Sequence, residues 1–382
     1  GNMRNVVIAC GGTGGHLTPG IALAQSLEER GYPSWLFISQ KQVDARLSKK
    51  YPKLSFQSMP GAPLIKSPLG LARFGQGFVR SFLRSQRFYR QVGADALVGF
   101  GGFSTFGPAM AARTRGMPVF IHEANRAVGK AIRFLAKQSS RVYLPEGMRL
   151  EGISPEITRN IGYPLRKEFR RIPLERARKQ LGISLNDRLL VVLGGSQGAS
   201  SLNQWVKNNL QALASEGIST YCLTGIGKDS SGVVQLEGPS GKIITSRFVS
   251  FTDEMNIVLS AADLVVSRAG AGAISEITRC RVPSILIPYP FAADNHQYLN
   301  AAFLEGKGGS ILCLDKDIES HLLNEVKEVI FNEEFRAILR RNLFSMDPGD
   351  VGARMTSDII QCLQENPITK NVQGGGVLRM VA

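Results

Sequence analysis

Acidic residues are nearly missing from a long stretch of this chain: between Leu54 and Pro145 there are 13 Lys and Arg, and only Asp95 and Glu123 oppose them. Cysteine is also scarce. The five present (Cys10, Cys222, Cys280, Cys313, Cys362) are scattered and never spaced CxxC, which excludes a zinc ribbon or a disulfide framework and fits a reducing compartment. Four histidines, with no i, i+4 pair and no HExxH, argue against a histidine metal site. No apolar run approaches the roughly 18 to 20 residues that cross a bilayer, and Val6–Cys10 is too short for a signal-peptide core. No G-x-x-x-x-G-K-[ST] is present, so a P-loop nucleotidase is excluded. With 43% hydrophobic and 20% charged residues, 41 Gly and only 18 Pro, a fibrous, mucin-like or disordered chain is excluded as well.

The length of 382 residues predicts two domains, and the charge is divided unequally along them. The total is 46 Lys and Arg against 31 Asp and Glu, a net +15. Residues 1–165 hold 22 basic and 8 acidic residues, a net +14, and residues 166–382 hold 24 and 23, a net +1. Such asymmetry marks an anionic partner for the N-terminal half. Residues 63–91 contain Lys66, Arg73, Arg80, Arg84, Arg87 and Arg90, no acid, and large apolar groups including Leu69, Phe74, Phe78 and Leu83. Part of that apolar set is expected in the core, and the remainder with the arginines suits an anionic lipid surface. No RNP, helix-turn-helix or finger pattern supports a nucleic-acid partner.

Strand-length apolar runs alternate with amphipathic stretches of helix length: Asn5–Cys10, a helix from about Pro19 to Arg30, then Ser34–Ser39. This alternation predicts an α/β fold with mostly parallel sheets. The pattern restarts at Leu189–Leu193, with a helix from about Ser201, so GGTGG (11–15) and GGSQG (194–198) are the first strand-to-helix turns of two doubly wound domains. The expected division is 3–163 for an N-terminal acceptor and membrane-facing domain and 164–345 for a C-terminal nucleotide domain. A last helix, about 351–364, returns to the first domain, and 366–382 is a flexible tail.

Both glycine turns suit an anion at a helix N-terminus, but neither is a dinucleotide fingerprint. Leu17 occupies the third glycine position, and no carboxylate ends the second strand at Ser39–Gln40 or its counterpart at Cys222–Gly225. In Arg268-Ala-Gly-Ala-Gly272 the arginine can neutralise phosphate, and Glu276 further along the helix can accept from sugar hydroxyls. Asp315-Lys-Asp317 imitates a metal-holding DxD pair, although a helix cap explains Asp317. His122–Glu123 ends a strand at the carboxyl edge of the sheet, where ligands bind in open α/β folds.

Seven ordered segments, GGTGGH (11–16), GFGGFSTFGP (99–108), HEAN (122–125), GYPLR (162–166), GGSQGA (194–199), SRAGA (267–271) with Glu276, and DNHQ (294–297), resemble the MurG family over about residues 4–365. These are the UDP-N-acetylglucosamine:N-acetylmuramyl-(pentapeptide) pyrophosphoryl-undecaprenol N-acetylglucosaminyltransferases of bacterial wall synthesis. The resemblance implies a GT-B fold, two doubly wound Rossmann-like domains facing a cleft, and inverting transfer of GlcNAc from UDP-GlcNAc to the 4-hydroxyl of lipid-linked MurNAc-pentapeptide. It implies no cofactor, no metal, and a peripheral place on the cytoplasmic face of the inner membrane.

By the same resemblance, Thr13, Gly14, Gly15, Gly101, Gly102, Thr105 and His122 line the acceptor site. The donor would meet Arg166, Ser196 and the amides that follow it, including Gln197, at the diphosphate, with Arg268 balancing charge on the departing UDP, the Thr252 backbone beside Phe251 at uracil, Glu276 at ribose, and His296, Gln297 and Asn125 at the sugar; Thr13 also counts among the donor-binding residues. The attacking hydroxyl must lose a proton, for which His16 is the first candidate base and Glu123 the second. The chain departs from the family pattern at Ala124, Ile132, Tyr163 and Ala273, removing polar side chains near the ligands. Another GT-B enzyme using a UDP-sugar, or a membrane-surface scaffold with a vestigial nucleotide site, remains an alternative on sequence alone.

Overall fold

The structure, a computed structural model, describes residues 4–12, 14–42, 45–61, 64–195, 198–227, 231–365, 368–370 and 378–380. The chain divides into two compact units, the first comprising Gly1–Ala124, Val128–Lys167 and Pro348–Ala382 and the second Asn125–Ala127 and Glu168–Asp347. The main division therefore follows Lys167 rather than residue 163. Residues 125–127 belong to the second unit.

In the first unit the order is β1 (Val6–Ala9), α1 (Gly14–Glu29), β2 (Ser34–Ser39), α2 (Ala45–Lys50), β3 (Phe56–Met59), α3 (Pro68–Val92) and β4 (Ala96–Gly99). It continues with α4 (Phe106–Thr114), β5 (Val119–His122), α5 (Lys130–Ala136), β6 (Arg141–Leu144) and β7 (Thr158–Asn160). The seven strands form one sheet, β3-β2-β1-β4-β5-β6-β7, parallel throughout. Alternate residues of β1 enter opposite cores: Val7 and Ala9 join Tyr89, Ala109 and Ile132, while Val6 and Ile8 join Leu23, Leu27, Met355 and Ile359. Burial on both faces explains why these strands read as unbroken apolar runs.

In the second unit the order is α6 (Leu174–Leu181), β8 (Arg188–Leu193), α7 (Ala199–Ser215), β9 (Ile218–Leu223), β10 (Gly232–Glu237), β11 (Ile243–Val249) and α8 (Met255–Ala261). Then follow β12 (Leu264–Ser267), α9 (Ala271–Cys280), β13 (Ser284–Leu286), α10 (His296–Gly306), β14 (Ile311–Leu312), α11 (Leu323–Ile330) and α12 (Glu333–Met346). The sheet order is β10-β11-β9-β8-β12-β13-β14, parallel except for β10 on β11. The last helix, α13 (Val351–Glu365), lies in the first unit. There Asp358 accepts from Tyr143 Oη (2.7 Å) and Arg159 Nε (3.1 Å), and Gly352 packs so closely on α1 that a Cβ would stand 2.7 Å from Ser26 Oγ. In the tail, β15 (Ile368–Lys370) pairs antiparallel with β16 (Leu378–Met380), a regular element that was not expected.

Two helices begin earlier than the sequence predicts. α1 starts at Gly14, with Pro19 inside it. Proline has no N–H for the carbonyl four residues back, and that carbonyl, Gly15 O, instead accepts from Tyr163 Oη at 3.0 Å. The departure at Tyr163 thus supplies the donor that Pro19 removes. α7 likewise starts at Ala199 rather than Ser201. Among the described residues no helix is long and apolar enough to cross a membrane.

The second unit is fastened by a buried carboxylate. Asp263 accepts from Leu189 N at 2.8 Å and pairs with Arg178 (3.0 Å) and Arg336 (3.5 Å), both almost fully buried. Asp263→Ala would leave two buried guanidinium groups without this partner, so a loss of about 3–5 kcal/mol is expected in urea unfolding.

Candidate active site

In each unit the strand order reverses beside the first strand, and the loops leaving the two adjacent strands run apart at their carboxyl ends. In the first unit these are the loops after β1 and β4. Ser104 Oγ donates to Gly11 O at 3.0 Å, which ties one loop to the other. His16, in the first turn of α1, places Nδ1 3.2 Å from the same carbonyl. A carbonyl only accepts, so Nδ1 carries the proton and the Nε2 lone pair is available.

Three glycines make room for this ring. A Cβ at Gly12 would stand 3.5 Å from His16 Nδ1, one at Gly101 3.6 Å from Nε2, and one at Gly102 3.3 Å from Cε1. All three have positive φ, at 98°, 104° and 74°, where a side chain would also be strained. Burial pushes the His16 pKa below its ordinary value and the Gly11 hydrogen bond opposes that shift. The ring is therefore neutral at pH 7, as a general base must be.

Several expected acceptor contacts have other roles. Thr105 is buried and its hydroxyl donates to Gly101 O at 2.8 Å, fixing the loop instead of facing a ligand. His122 is 1% exposed, lies against Phe100, and donates from Nε2 to Gly162 O at 3.2 Å. It supports the site from beneath. Burial lowers its pKa to about 4, with the Gly162 bond opposing and His16 adding to the shift. Gly15 is held through its carbonyl by Tyr163, and Gly14 begins α1. Glu123 Oε1 accepts from Gly129 N at 3.5 Å, just before α5. Ile132, one of the departures, is buried core, and a Cβ at Gly101 would come 3.9 Å from its Cδ1. Thr13 lies outside the described residues, as do Ser196 and Gln197.

In the second unit the reversal falls between β8 and β12. Here Arg268 is 2% exposed and bonds to Gly198 O, Ser201, Ile287 O and Asp315, so it braces the turn rather than presenting its guanidinium to phosphate. Asp315 is correspondingly its ion-pair partner. Gln297 Oε1 accepts from Ala269 N (3.1 Å) and Tyr289 N (2.9 Å), joining the loops after β12 and β13. His296 opens α10, with Nδ1 2.8 Å from Ala293 O. The two residues before it, Asp294 and Asn295, are both left-handed at φ 52° and 56°, a strained turn of the kind held at ligand sites.

Asn125 Oδ1 accepts from Asn300 Nδ2 (3.1 Å), which also donates to Ala269 O, while Arg126 N donates to Asn300 Oδ1 (2.9 Å). The Arg126 guanidinium stacks over Phe303 at 3.1 Å. Glu276 is half-buried on α9, and Thr252 accepts from Glu254 N beside the half-exposed Phe251. Arg166, expected at the donor diphosphate, packs in the first unit and donates to Tyr51 Oη at 2.8 Å. Ser104, Ser201, Asn300 and Asp315 acquire positioning roles that were not foreseen. Asn300 was within reach of helical spacing, being four residues after His296 and three after Gln297.

The profile of the glycosyltransferase family 28 N-terminal domain matches residues 6–144, and that of the family 28 C-terminal domain matches residues 189–346. With two doubly wound units, these define a GT-B glycosyltransferase. A UDP-N-acetylglucosamine–N-acetylmuramyl-(pentapeptide) pyrophosphoryl-undecaprenol N-acetylglucosamine transferase of Opitutus terrae is 46% identical over 363 residues, covering 94% of each chain. One of Prochlorococcus marinus is 33% identical over 358 residues, covering 90% of this chain and 91% of its own. The chain belongs to this family of N-acetylglucosamine transferases, the MurG family. Its fold is shared with the crystal structure of Acinetobacter baumannii MurG (TM-score 0.67, 22% identity, 94% of this chain and 99% of that one). The glycotransferase of kitacinnamycin shares it too (TM-score 0.70, 15% identity, 95% and 100%).

The buried histidine makes stability depend on pH. An unfolded chain protonates His122 near 6.5 and the folded one only near 4, so the unfolded state takes up the proton first on acidification. The contribution is complete above pH 6.5 and lost as pH falls toward 4, on the order of 3 kcal/mol in all. Urea unfolding at pH 7 and pH 5 is expected to show the loss, and His122→Gln to reduce the difference.

Proposed function

We propose that the protein transfers N-acetylglucosamine from UDP-GlcNAc to the 4-hydroxyl of MurNAc-(pentapeptide) pyrophosphoryl-undecaprenol, converting lipid I to lipid II in peptidoglycan synthesis. The acceptor hydroxyl gives its proton to His16 Nε2 while its oxygen bonds to the anomeric carbon. The bond from that carbon to the UDP oxygen breaks with its electron pair, UDP departs, and the configuration inverts. The observation that carries this assignment is the hydrogen bond from His16 Nδ1 to Gly11 O, which leaves Nε2 as the basic atom. Charge appearing on UDP is met by the amides that open α7 and α9, following the two glycine turns of the second unit. No cofactor or metal takes part in this scheme.

The acceptor carries a lipid, and α3 supplies a surface for its membrane. The helix buries a stripe of small residues, Gly70, Gly77, Ser81 and Ser85, together with Tyr89. α4 comes so near that a Cβ on Gly107 would lie 2.5 Å from Ser81 Oγ. Several of its large apolar groups face outward, while Phe82, Phe88 and Val92 pack against the core: Leu69 is 62% exposed, and Leu71, Val79 and Leu83 are each more than half exposed, among the exposed Arg73, Arg80, Arg84 and Arg87. A series of rings in contact, Phe74 edge-on to Phe103, Phe103 stacked on Phe106, and Phe106 tilted against the half-exposed Phe134, continues this face. Apolar groups among cations fit a peripheral seat on the anionic cytoplasmic face of the inner membrane.

Incubation with UDP-GlcNAc and a lipid I analogue is expected to release UDP and yield the disaccharide lipid, equally well with a chelator present; absence of turnover in lipid or detergent would refute the assignment. His16→Ala is expected to lower kcat by about 10²-fold or more with folding preserved, and an unchanged rate would remove His16 as the base. Leu69→Glu combined with Leu83→Glu is expected to weaken binding to anionic vesicles by about tenfold or more. Turnover of a short-chain acceptor should stay the same, as a vesicle co-sedimentation assay run beside the transfer assay would show.

A further inference from the structure

Arg268 uses all five of its N–H donors within the protein. Nε donates to Gly198 O (3.2 Å), Nη2 to Gly198 O (3.0 Å) and Ser201 Oγ (2.8 Å), and Nη1 to Asp315 Oδ1 (2.7 Å) and Ile287 O (3.3 Å). Of these five bonds only the one to Asp315 pairs charge with charge. The Tyr289 ring lies on the guanidinium at 5.6 Å, completing its burial.

The acceptor that takes two of these bonds is the carbonyl of Gly198, the residue before α7. That approach requires glycine: φ is 81°, and a Cβ would stand 2.6 Å from Arg268 Nε and 2.7 Å from Tyr289 Cδ1. A trans peptide directs its C=O and the following N–H to opposite sides. Holding Gly198 O on Arg268 therefore aims the Ala199 N–H away from the guanidinium. Ala199 is the first residue of α7, where N–H groups have no acceptor within the helix and the helix dipole is positive. Ser201, held by the same guanidinium, fixes the rest of that first turn.

We propose that Asp315 is a positioning residue for the donor's diphosphate. It orients Arg268, Arg268 orients the Gly198–Ala199 peptide and Ser201, and the amides opening α7 are thereby set for phosphate oxygens. An acidic residue thus promotes the binding of an anion, because its charge is spent on a buried arginine. Asp315 follows β14, in a different loop from either glycine turn. This inference rests on the reading of the turn before α7 as the diphosphate site.

The test compares UDP, UDP-GlcNAc and uridine binding by calorimetry in the whole protein. If the wild type binds UDP no more tightly than uridine, the diphosphate reading itself fails, whatever the variants do. With that preference present, Asp315→Asn is expected to raise the Kd of UDP and of UDP-GlcNAc by about tenfold while uridine stays within about twofold of wild type. Asp315→Glu should recover part of the loss. Unchanged UDP affinity, or an equal loss for UDP and uridine, overturns the proposal, since a general disturbance of the unit would not distinguish the two. If Asp315→Asn does not fold, Ser201→Ala decides: it keeps the ion pair and removes one guanidinium bond. Weaker UDP binding with uridine unchanged supports the proposal, and unchanged UDP binding overturns it.

Discussion

The reversal of strand order in each parallel sheet is the constraint on which the rest depends. In each unit the chain runs from the first strand through α1 or α7 to a neighbour on one side, and later returns on the other side with β4 or β12. The loops after neighbouring strands then separate at the carboxyl edge, and an opening is unavoidable there. Gly11, Gly12, Gly101 and Gly102 occupy that edge in one unit, and Gly194, Gly195 and Gly198 in the other. Glycine is required at the positions where backbone, ring and guanidinium approach within contact distance. The same topology thus yields a histidine cradle in one unit and a braced helix N-terminus in the other.

What separates the two openings is how each uses its polar groups. In the first, one carbonyl, Gly11 O, accepts from both Ser104 and His16, so a short hydrogen-bond link sets the tautomer of a titratable ring. Burial then keeps the ring neutral. In the second, Arg268 spends its donors on two backbone carbonyls and on the side chains of Ser201 and Asp315, so the cation that a phosphate would be expected to attract is engaged within the unit. Arg178 and Arg336 serve the fold in the same manner around Asp263. The net charge of +15 therefore gives no guide to which arginines face a ligand. The basic groups of α3 do face outward, because the stripe it turns toward α4 is built of glycine and serine.

Much of the architecture was legible in the chain. Unbroken apolar strands alternating with amphipathic helices, with a glycine turn after the first strand of each half, led to two doubly wound units, and the profile matches and relatives agree. Less legible were helix starts, since Pro19 reads as a first-turn residue until Tyr163 is seen to satisfy the orphaned carbonyl. Roles within the site were less legible still. Thr105, His122, Arg268 and Gln297 lie in the expected motifs, yet Thr105 bonds to the backbone of its own loop and the other three to backbone groups of neighbouring loops.

The sequence alone determined the α/β class, the two repeats of the fold and the family, because these follow from hydrophobic period, glycine turns and ordered motifs, all local along the chain. Tertiary structure alone decided which partners the side chains within those motifs take. A donor or acceptor can be used once, and its partner is set by which loops the sheet brings together: Arg268 meets Gly198 and Asp315, 70 and 47 residues away, and His122 meets Gly162 at 40. Motif spacing carries no record of such pairings. That is why the hydrogen bond of His16 stays within its own turn, at Gly11 O, while Arg268 reaches across loops to Gly198, Ile287 and Asp315.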